Sequence, residues 1–215
     1  AGNNTLHDFF STELGVDSLL LPSSIDVERV SPAEETPIDE TRPFVFGWIG
    51  TPVTYAAYVR PLLPMFELLA GSLGAEFWVI GVPEPSEHSK SVKFFPWLEE
   101  KEALMLQGID VGIMPLKDDP WSRGKCGYKL LQYMAVGKAV IASSVGANKE
   151  IVSHGETGYL VRDESDWVRY LSLLARDRNL SAAMGKKGSE KVASSYSRED
   201  VGHQLVDSFD QLVRK

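Results

Sequence analysis

The segment Gly124-Lys125-Cys126-Gly127-Tyr128-Lys129 sets two glycines and two lysines where a helix should begin, because Tyr128 to Ala135 carries apolar residues at helical spacing and stops before Gly137. Lys125 and Lys129 are four apart and reach the same side of that first turn. Free backbone N–H groups at a helix N-terminus, joined by two cations, suit a diphosphate. The wider stretch from Lys117 to Lys138 sharpens the point: Lys117, Arg123, Lys125, Lys129 and Lys138 face only Asp118 and Asp119, a local +3. A solvated basic surface is the plain alternative, and the bracketing glycines favour a ligand.

A second candidate is Gly50-Thr51-Pro52-Val53-Thr54, a tight strand-to-helix turn in which glycine admits a ligand close to the backbone. The other reading of the same residues is purely local, with Gly50 making the turn and Thr51 or Thr54 capping a helix. Trp97 and Trp121 follow strands and offer flat faces for a base or sugar, or serve as lids on the core. Cys126 lies in the basic loop without an identifiable base partner and reads as a packing residue. His7, His88, His154 and His203 are too scattered for a metal or proton-transfer cluster. Ser143-Ser144 lacks the context of a nucleophile elbow, and Glu150 reads as an acid in a helix's first turn. No catalytic residue is assigned from these residues, and no metal site or cofactor is expected.

The elements that must position these groups alternate. Short apolar runs at Phe44 to Gly50, Phe77 to Gly81, Val92 to Phe95, Ile109 to Met114, Ala139 to Ala142 and Gly158 to Val161 read as buried strands. Helical spacing marks residues 54–71, where Pro61 and Pro64 imply a bend or a late start, then Glu99 to Gln107, Tyr128 to Ala135, Glu164 to Arg176, Leu180 to Ser194 and Arg198 to Leu212. The fold class is therefore α/β, a Rossmann-like doubly wound parallel sheet, in which ligands bind outside the carboxyl ends of the strands. Ahead of it, residues 1–25 read as a helix around Leu6 to Leu14 and a strand at Leu19-Leu20-Leu21. Residues 26–43 read as a solvated linker, since Asp26 to Arg42 holds six acids against two arginines.

The 215 residues carry 22 Lys+Arg and 30 Asp+Glu, a net −8 that argues against a nucleic-acid partner. One cysteine excludes an intrachain disulfide and a Cys-rich zinc site, which fits a reducing compartment. Apolar stretches fall well short of the ~20 residues of a membrane helix. The opening Ala1-Gly2, without Met, reads as a trimmed start.

In order and spacing, several segments across residues 44–196 resemble the donor-binding half of a GT-B glycosyltransferase of the large retaining group often called family 4. They are Phe46-Gly47-Trp48-Ile49-Gly50-Thr51-Pro52, Ile109-Asp110-Val111-Gly112-Ile113-Met114-Pro115-Leu116, the run from Gly124 to Ala142, Gly146, Glu150-Ile151-Val152, and Gly155-Glu156-Thr157-Gly158-Tyr159-Leu160-Val161. Pro22-Ser23-Ser24-Ile25-Asp26 resembles the crossing that precedes this half.

The resemblance implies that residues 1–25 are a remnant of an N-terminal domain, that 44–196 bind a nucleotide sugar, and that 197–215 form a helix returning toward that absent domain. It implies transfer of the sugar, with retention, to a saccharide or lipid-linked acceptor, and a cytoplasmic setting, peripheral at the inner face of the membrane in the full-length protein. Bacterial polysaccharide assembly is the setting it suggests. Donor-binding residues expected on this basis are Gly50, Thr51, Trp97, Lys125, Gly127, Tyr128, Lys129 and Gln132. Many members carry two glutamates eight positions apart for the donor sugar and the ribose; here those positions are Gly124 and Gln132. Gln132 still offers an amide to a ribose diol, whereas Gly124 offers no side chain, leaving the sugar to the Gly127 and Tyr128 backbone. That departure keeps a second reading open, a non-catalytic nucleotide-binding or degenerate partner module.

Overall fold

The structure is a computed structural model that describes residues 1–30, 38, 39, 41–86 and 89–213, the last three through their backbone alone. Much of the expected linker (Pro32, Glu34, Glu35, Pro37, Glu40), His88 and the Leu212 side chain lie outside the described residues.

After a first helix, α1 (Asn4–Thr12), the chain builds a single parallel sheet. In order come β1 (Val45–Ile49), α2 (Pro52–Thr54), α3 (Leu63–Leu73), β2 (Glu76–Ile80), β3 (Val92–Phe95), α4 (Glu102–Gly108), β4 (Val111–Met114), α5 (Pro120–Arg123), α6 (Tyr128–Ala135), β5 (Ala139–Ser143), α7 (Asn148–Ile151), β6 (Gly158–Val161), α8 (Glu164–Arg176), α9 (Arg178–Ser195) and α10 (Arg198–Val213). The strand order is β3-β2-β1-β4-β5-β6, and every pairing is parallel. The doubly wound reading of the sequence is therefore the observed fold.

Near-continuous apolar strands are explained by burial on both faces. Along the first strand, Phe44, Phe46 and Trp48 join a core with Phe66, Phe77, Trp167 and Leu171, while Val45 and Ile49 point into a second core with Leu130, Leu131, Tyr133 and Val192. Helices α3 and α8 cover one face, and α6 and α9 the other. Pro61 and Pro64 act where expected, though the helix starts early: Thr51 and Thr54 form a capping box at Pro52. The missing proline N–H groups then divert the hydrogen-bond ladder through a π turn at Tyr55–Val59 and a 3-10 turn at Arg60–Leu62 before α3 resumes.

Two expectations need correction, and one element is additional. Leu19-Leu20-Leu21 forms no strand; the backbone N–H of Leu21 donates to the Ala1 carbonyl at 2.8 Å, and the run lies against the chain's own start rather than on a sheet edge. The Ala1 amino group in turn donates to Leu19 O at 2.6 Å, so the partner is one terminal residue, too short to build a strand. One helical turn went unforeseen, α5, although its signals are ordinary: Asp119 caps it by accepting from Ser122 N, and Pro120 occupies the first position. The +3 stretch, finally, does not act as one patch. Arg123 is paired with Asp118 at 2.6 Å, and Lys138, beyond the far end of α6, faces the opposite edge of the sheet beside Arg42 and Asp110.

The segment entering the sheet domain and the one leaving it run together. Ile25 N donates to Tyr196 O at 2.9 Å, Arg198 N donates to Ile25 O at 3.1 Å, and Arg198 pairs with Asp26 at 2.9 Å.

Candidate functional site

The reversal of strand order falls between β1 and β4, and there the sheet opens toward its carboxyl edge. Pairing holds only at Phe46↔Val111 and Gly47↔Gly112. Beyond it, the Tyr133 hydroxyl takes over: it accepts from Ile49 N at 3.0 Å and donates to Ile113 O at 3.4 Å. Burial raises the Tyr133 pKa, so the hydroxyl stays protonated and keeps that donor role. A crevice of this kind is where ligands bind in doubly wound sheets.

Two loops that sequence singled out meet above the crevice. Gly50 ends β1, its N–H donating to Ile80 O at 3.0 Å; a Cβ there would lie 2.5 Å from the Trp48 ring, so the turn needs glycine for close packing. Thr51 is spent on capping α2, which is the local reading of that residue. Across from it, Gly127 caps α6 in the left-handed region at φ 69°, with no side-chain cap bonded to the helix's first amides among the described residues. Lys129, in that first turn, places its Nζ 5.8 Å from the Trp48 ring, and Lys125 places its own 5.3 Å from Tyr58 and 5.8 Å from Trp121. Burial, and secondarily the charge of Lys125, hold the Lys129 ammonium below the ordinary lysine range. Among the described residues no carboxylate pairs with either lysine. Tyr128 is half exposed beside them.

The loop carrying Lys125 is held from outside the sheet domain. Asn3 is 1% exposed; its Nδ2 donates to the carbonyls of Arg123 at 3.2 Å and Lys125 at 2.9 Å, and its Oδ1 accepts from Leu6 N at 2.9 Å, capping α1. Truncating this side chain orphans all three groups at once. Asn3→Ala is expected to lower the unfolding free energy by about 1–3 kcal/mol, measured by urea denaturation.

A second cluster lies one turn along α6. Trp97, after β3, donates from Nε1 to Glu102 Oε2 at 2.6 Å, and Gln132 donates from Nε2 to Glu102 Oε1 at 2.7 Å. Because a carboxylate only accepts, the amide NH2 of Gln132 must face it. Trp97 and Gln132 are thus brought together, and what joins them is a residue the sequence did not single out. Glu102 follows Glu99 and Glu100 at a helix start, where acids usually just complement the dipole.

The remaining candidates stay apart from this edge or play structural parts. Gly124 ends α5 with its α-carbon facing Leu6, and Cys126 is a free, partly buried thiol beside Gly2. His154 Nδ1 accepts from Leu160 N at 3.1 Å, His7 bonds Ser18 at 2.7 Å, and Glu150 lies in the first turn of α7. Ser143 Oγ accepts from Leu116 N at 2.9 Å. Among the described residues no cluster of His, Cys, Asp or Glu is arranged to hold a metal ion, and no helix is long and apolar enough to cross a membrane. A cavity of about 480 Å³ at the carboxyl edge is lined by Tyr58, Lys117, Ser144 and Arg162 among others. A larger one, about 1050 Å³, opens at the amino edge around Arg42, Asp110 and Lys138. The carboxyl edge is the candidate site, because only there do the crevice, the open helix terminus and the unpaired lysines coincide.

Comparison with known proteins gives a family match. The family model described as glycosyl transferases group 1 matches residues 43–177. The N-acetyl-alpha-D-glucosaminyl L-malate synthase of Bacillus anthracis is 31% identical over 90 residues, covering 41% of this chain and 24% of its own length. The chain therefore spans about a quarter of that relative. Among solved structures, Anabaena HepE in complex with UDP and glucose superposes with a TM-score of 0.74 at 13% identity, covering 98% of this chain and 62% of that one. The C-terminal domain of the Francisella tularensis glycosyl transferase group 1 family protein LpcC gives 0.59 at 20% identity, covering 81% of this chain and 99% of that one.

Proposed function

The chain belongs to the glycosyl transferases group 1 family, and from that premise we propose that it is the donor-binding half of a glycosyltransferase, holding a nucleoside-diphosphate sugar at the carboxyl edge of its sheet. The observation that carries the reading is Lys129. A desolvated ammonium with a second lysine near it and no carboxylate partner among the described residues, at a helix terminus with open amides, is an electrostatic burden on the fold that an anionic ligand relieves.

In this reading the diphosphate bridges Lys125, Lys129 and the first amides of α6. As the glycosidic bond breaks, negative charge gathers on the departing diphosphate, and the same groups, already in place, stabilise it. The sugar passes with retention to a saccharide or lipid-linked acceptor. Acceptor recognition belongs mostly to an N-terminal domain that α1 and the paired segments at Ile25 and Ser197 would adjoin; the LpcC domain, which stands alone as a matching C-terminal unit, supports that division. HepE, crystallised with UDP and glucose on this fold, supports a nucleotide donor. A cytoplasmic setting follows from the need for such donors. Gly124, which has no side chain to offer a sugar, favours the second reading of a nucleotide-binding module without transfer activity.

Titration calorimetry with UDP, GDP and ADP tests the proposal. At least one is expected to bind saturably. Only protonated Lys129 attracts phosphate, and in the free protein its pKa is depressed, so affinity falls as pH rises past that depressed value, and binding there takes up a proton. Heats in buffers of different ionisation enthalpy measure the uptake. No binding of any of the three at millimolar concentration overturns the reading. Sugar transfer by the full-length protein, absent in the module reading, separates the two.

A further inference from the structure

We infer that Glu102 supplies the carboxylate that recognises the ribose hydroxyls of the nucleotide, an inference that rests on the donor-binding reading above. The residue is placed for that work by neighbours that orient it without neutralising it. Both of its hydrogen-bond donors, the Trp97 indole and the Gln132 amide, are uncharged, and no cation pairs with it among the described residues. The two bonds fix its plane.

Each carboxylate oxygen accepts about two hydrogen bonds. One position on Oε1 is filled by Gln132 and one on Oε2 by Trp97, which leaves one acceptor position on each oxygen, side by side. Two adjacent acceptors on a charged plane match two adjacent hydroxyl donors, the geometry of a vicinal diol, and an acidic side chain performs this task for ribose in dinucleotide-binding sheets of the same strand order. The location agrees. Gln132 is three residues after Lys129 on α6, hence on the same face and about 4.5 Å further along the axis, so the carboxylate it holds lies roughly one turn from the lysine end of the helix. Solvent exposure grades the right way as well: Gln132 is 8% exposed, Glu102 half-buried and Trp97 49% exposed, so the cluster rises from the core to an open aromatic edge.

The position on α6 that lacks a carboxylate, Gln132, thus acts as the positioning residue for one that arrives from α4. A role confined to tying α4 to α6 would leave sugar selectivity untouched, and this is what the test reads. Titrations compare UDP, GDP and ADP with their 2′-deoxy counterparts for the unaltered chain, for Glu102→Gln, and for the exchange Glu102→Gln with Gln132→Glu. The unaltered chain is expected to prefer the ribonucleotide about tenfold or more. E102Q should bring the two within about threefold by weakening the ribonucleotide alone. The exchange restores a carboxylate beside an amide, and with it most of the preference. Equal weakening of both nucleotides by E102Q, an unchanged ratio, or no preference in the unaltered chain overturns the inference while leaving diphosphate binding intact; failure of all nucleotides to bind overturns the donor reading and this inference with it. Should E102Q alone fail to fold, the exchange variant decides, since loss of its preference in a folded chain counts against the assignment.

Discussion

Lys129→Met is expected to weaken nucleoside-diphosphate binding by about a hundredfold and, in the same protein, to make the unliganded chain more stable. The first effect is the loss of a charge-assisted contact to phosphate in a partly desolvated place, worth about 2–3 kcal/mol, which converts to roughly that factor in affinity. The second follows from the same desolvation. Lys129 lies over Trp48 without a counter-ion among the described residues, and its ammonium is held below the ordinary lysine range by burial and by Lys125. Methionine fills a similar volume and carries no charge to desolvate. A gain of about 1 kcal/mol is expected, or some 2–4 °C in thermal midpoint for a chain of this size. The pH dependence fixes the sign independently. With a depressed pKa the folded state binds fewer protons at Lys129 than the unfolded state does, so stability rises with pH between the depressed and the ordinary value. The methionine variant should lose that rise. Thermal scans across alkaline pH, with and without nucleotide, read both effects; unchanged affinity, or a lower midpoint, would show that Lys129 is a structural cation after all.

The trade between stability and binding explains why part of the site was legible in the sequence. Lysines and glycines grouped at the start of an apolar helix are a local pattern, and Tyr128–Ala135, Gly158–Val161 and Glu164–Arg176 form helix, strand and helix over those very residues. Burial on both faces of a parallel sheet writes itself into short apolar runs, so the strands were visible too. What was not visible depends on how far an element carries its ends. Lys138 belongs to the same charge run as Lys129, yet α6 intervenes and delivers it to the other edge of the sheet. Glu102 and Gln132 are 30 positions apart, and their contact at 2.7 Å exists only because α4 and α6 pack on one face. No periodicity encodes that partnership. Leu19-Leu20-Leu21 shows the opposite failure, an apolar run with the composition of a strand and no sheet edge to join.

Tyr133 lies at the hinge of this architecture, and Tyr133→Phe should separate fold from site in the opposite direction to Lys129→Met. The ring fills the space where β1 and β4 part, above Gly112, whose absent Cβ would lie 2.2 Å from the ring's Cγ. The hydroxyl supplies the hydrogen bonds that the splayed strands no longer give each other. Phenylalanine keeps the packing and orphans the Ile49 N–H, a buried donor on a residue that is 4% exposed, at a loss of about 1–3 kcal/mol. Gly112→Ala drives a methyl into the ring from the other side and should lose at least as much. The two positions touch, so their effects are coupled: in a Tyr133→Ala background, where the ring is gone, Gly112→Ala should cost markedly less than it does alone. A double-mutant cycle in urea measures that coupling, and simple additivity would refute the wedge. Because the hydroxyl's hydrogen bonds go to the backbone of β1 and β4 and not to Lys125, Lys129 or Glu102, the folded Tyr133→Phe protein should keep its nucleotide affinity within about threefold. Lower stability with retained binding there, against higher stability with lost binding at Lys129, would place the strain of this domain at its ligand edge and its support one layer below.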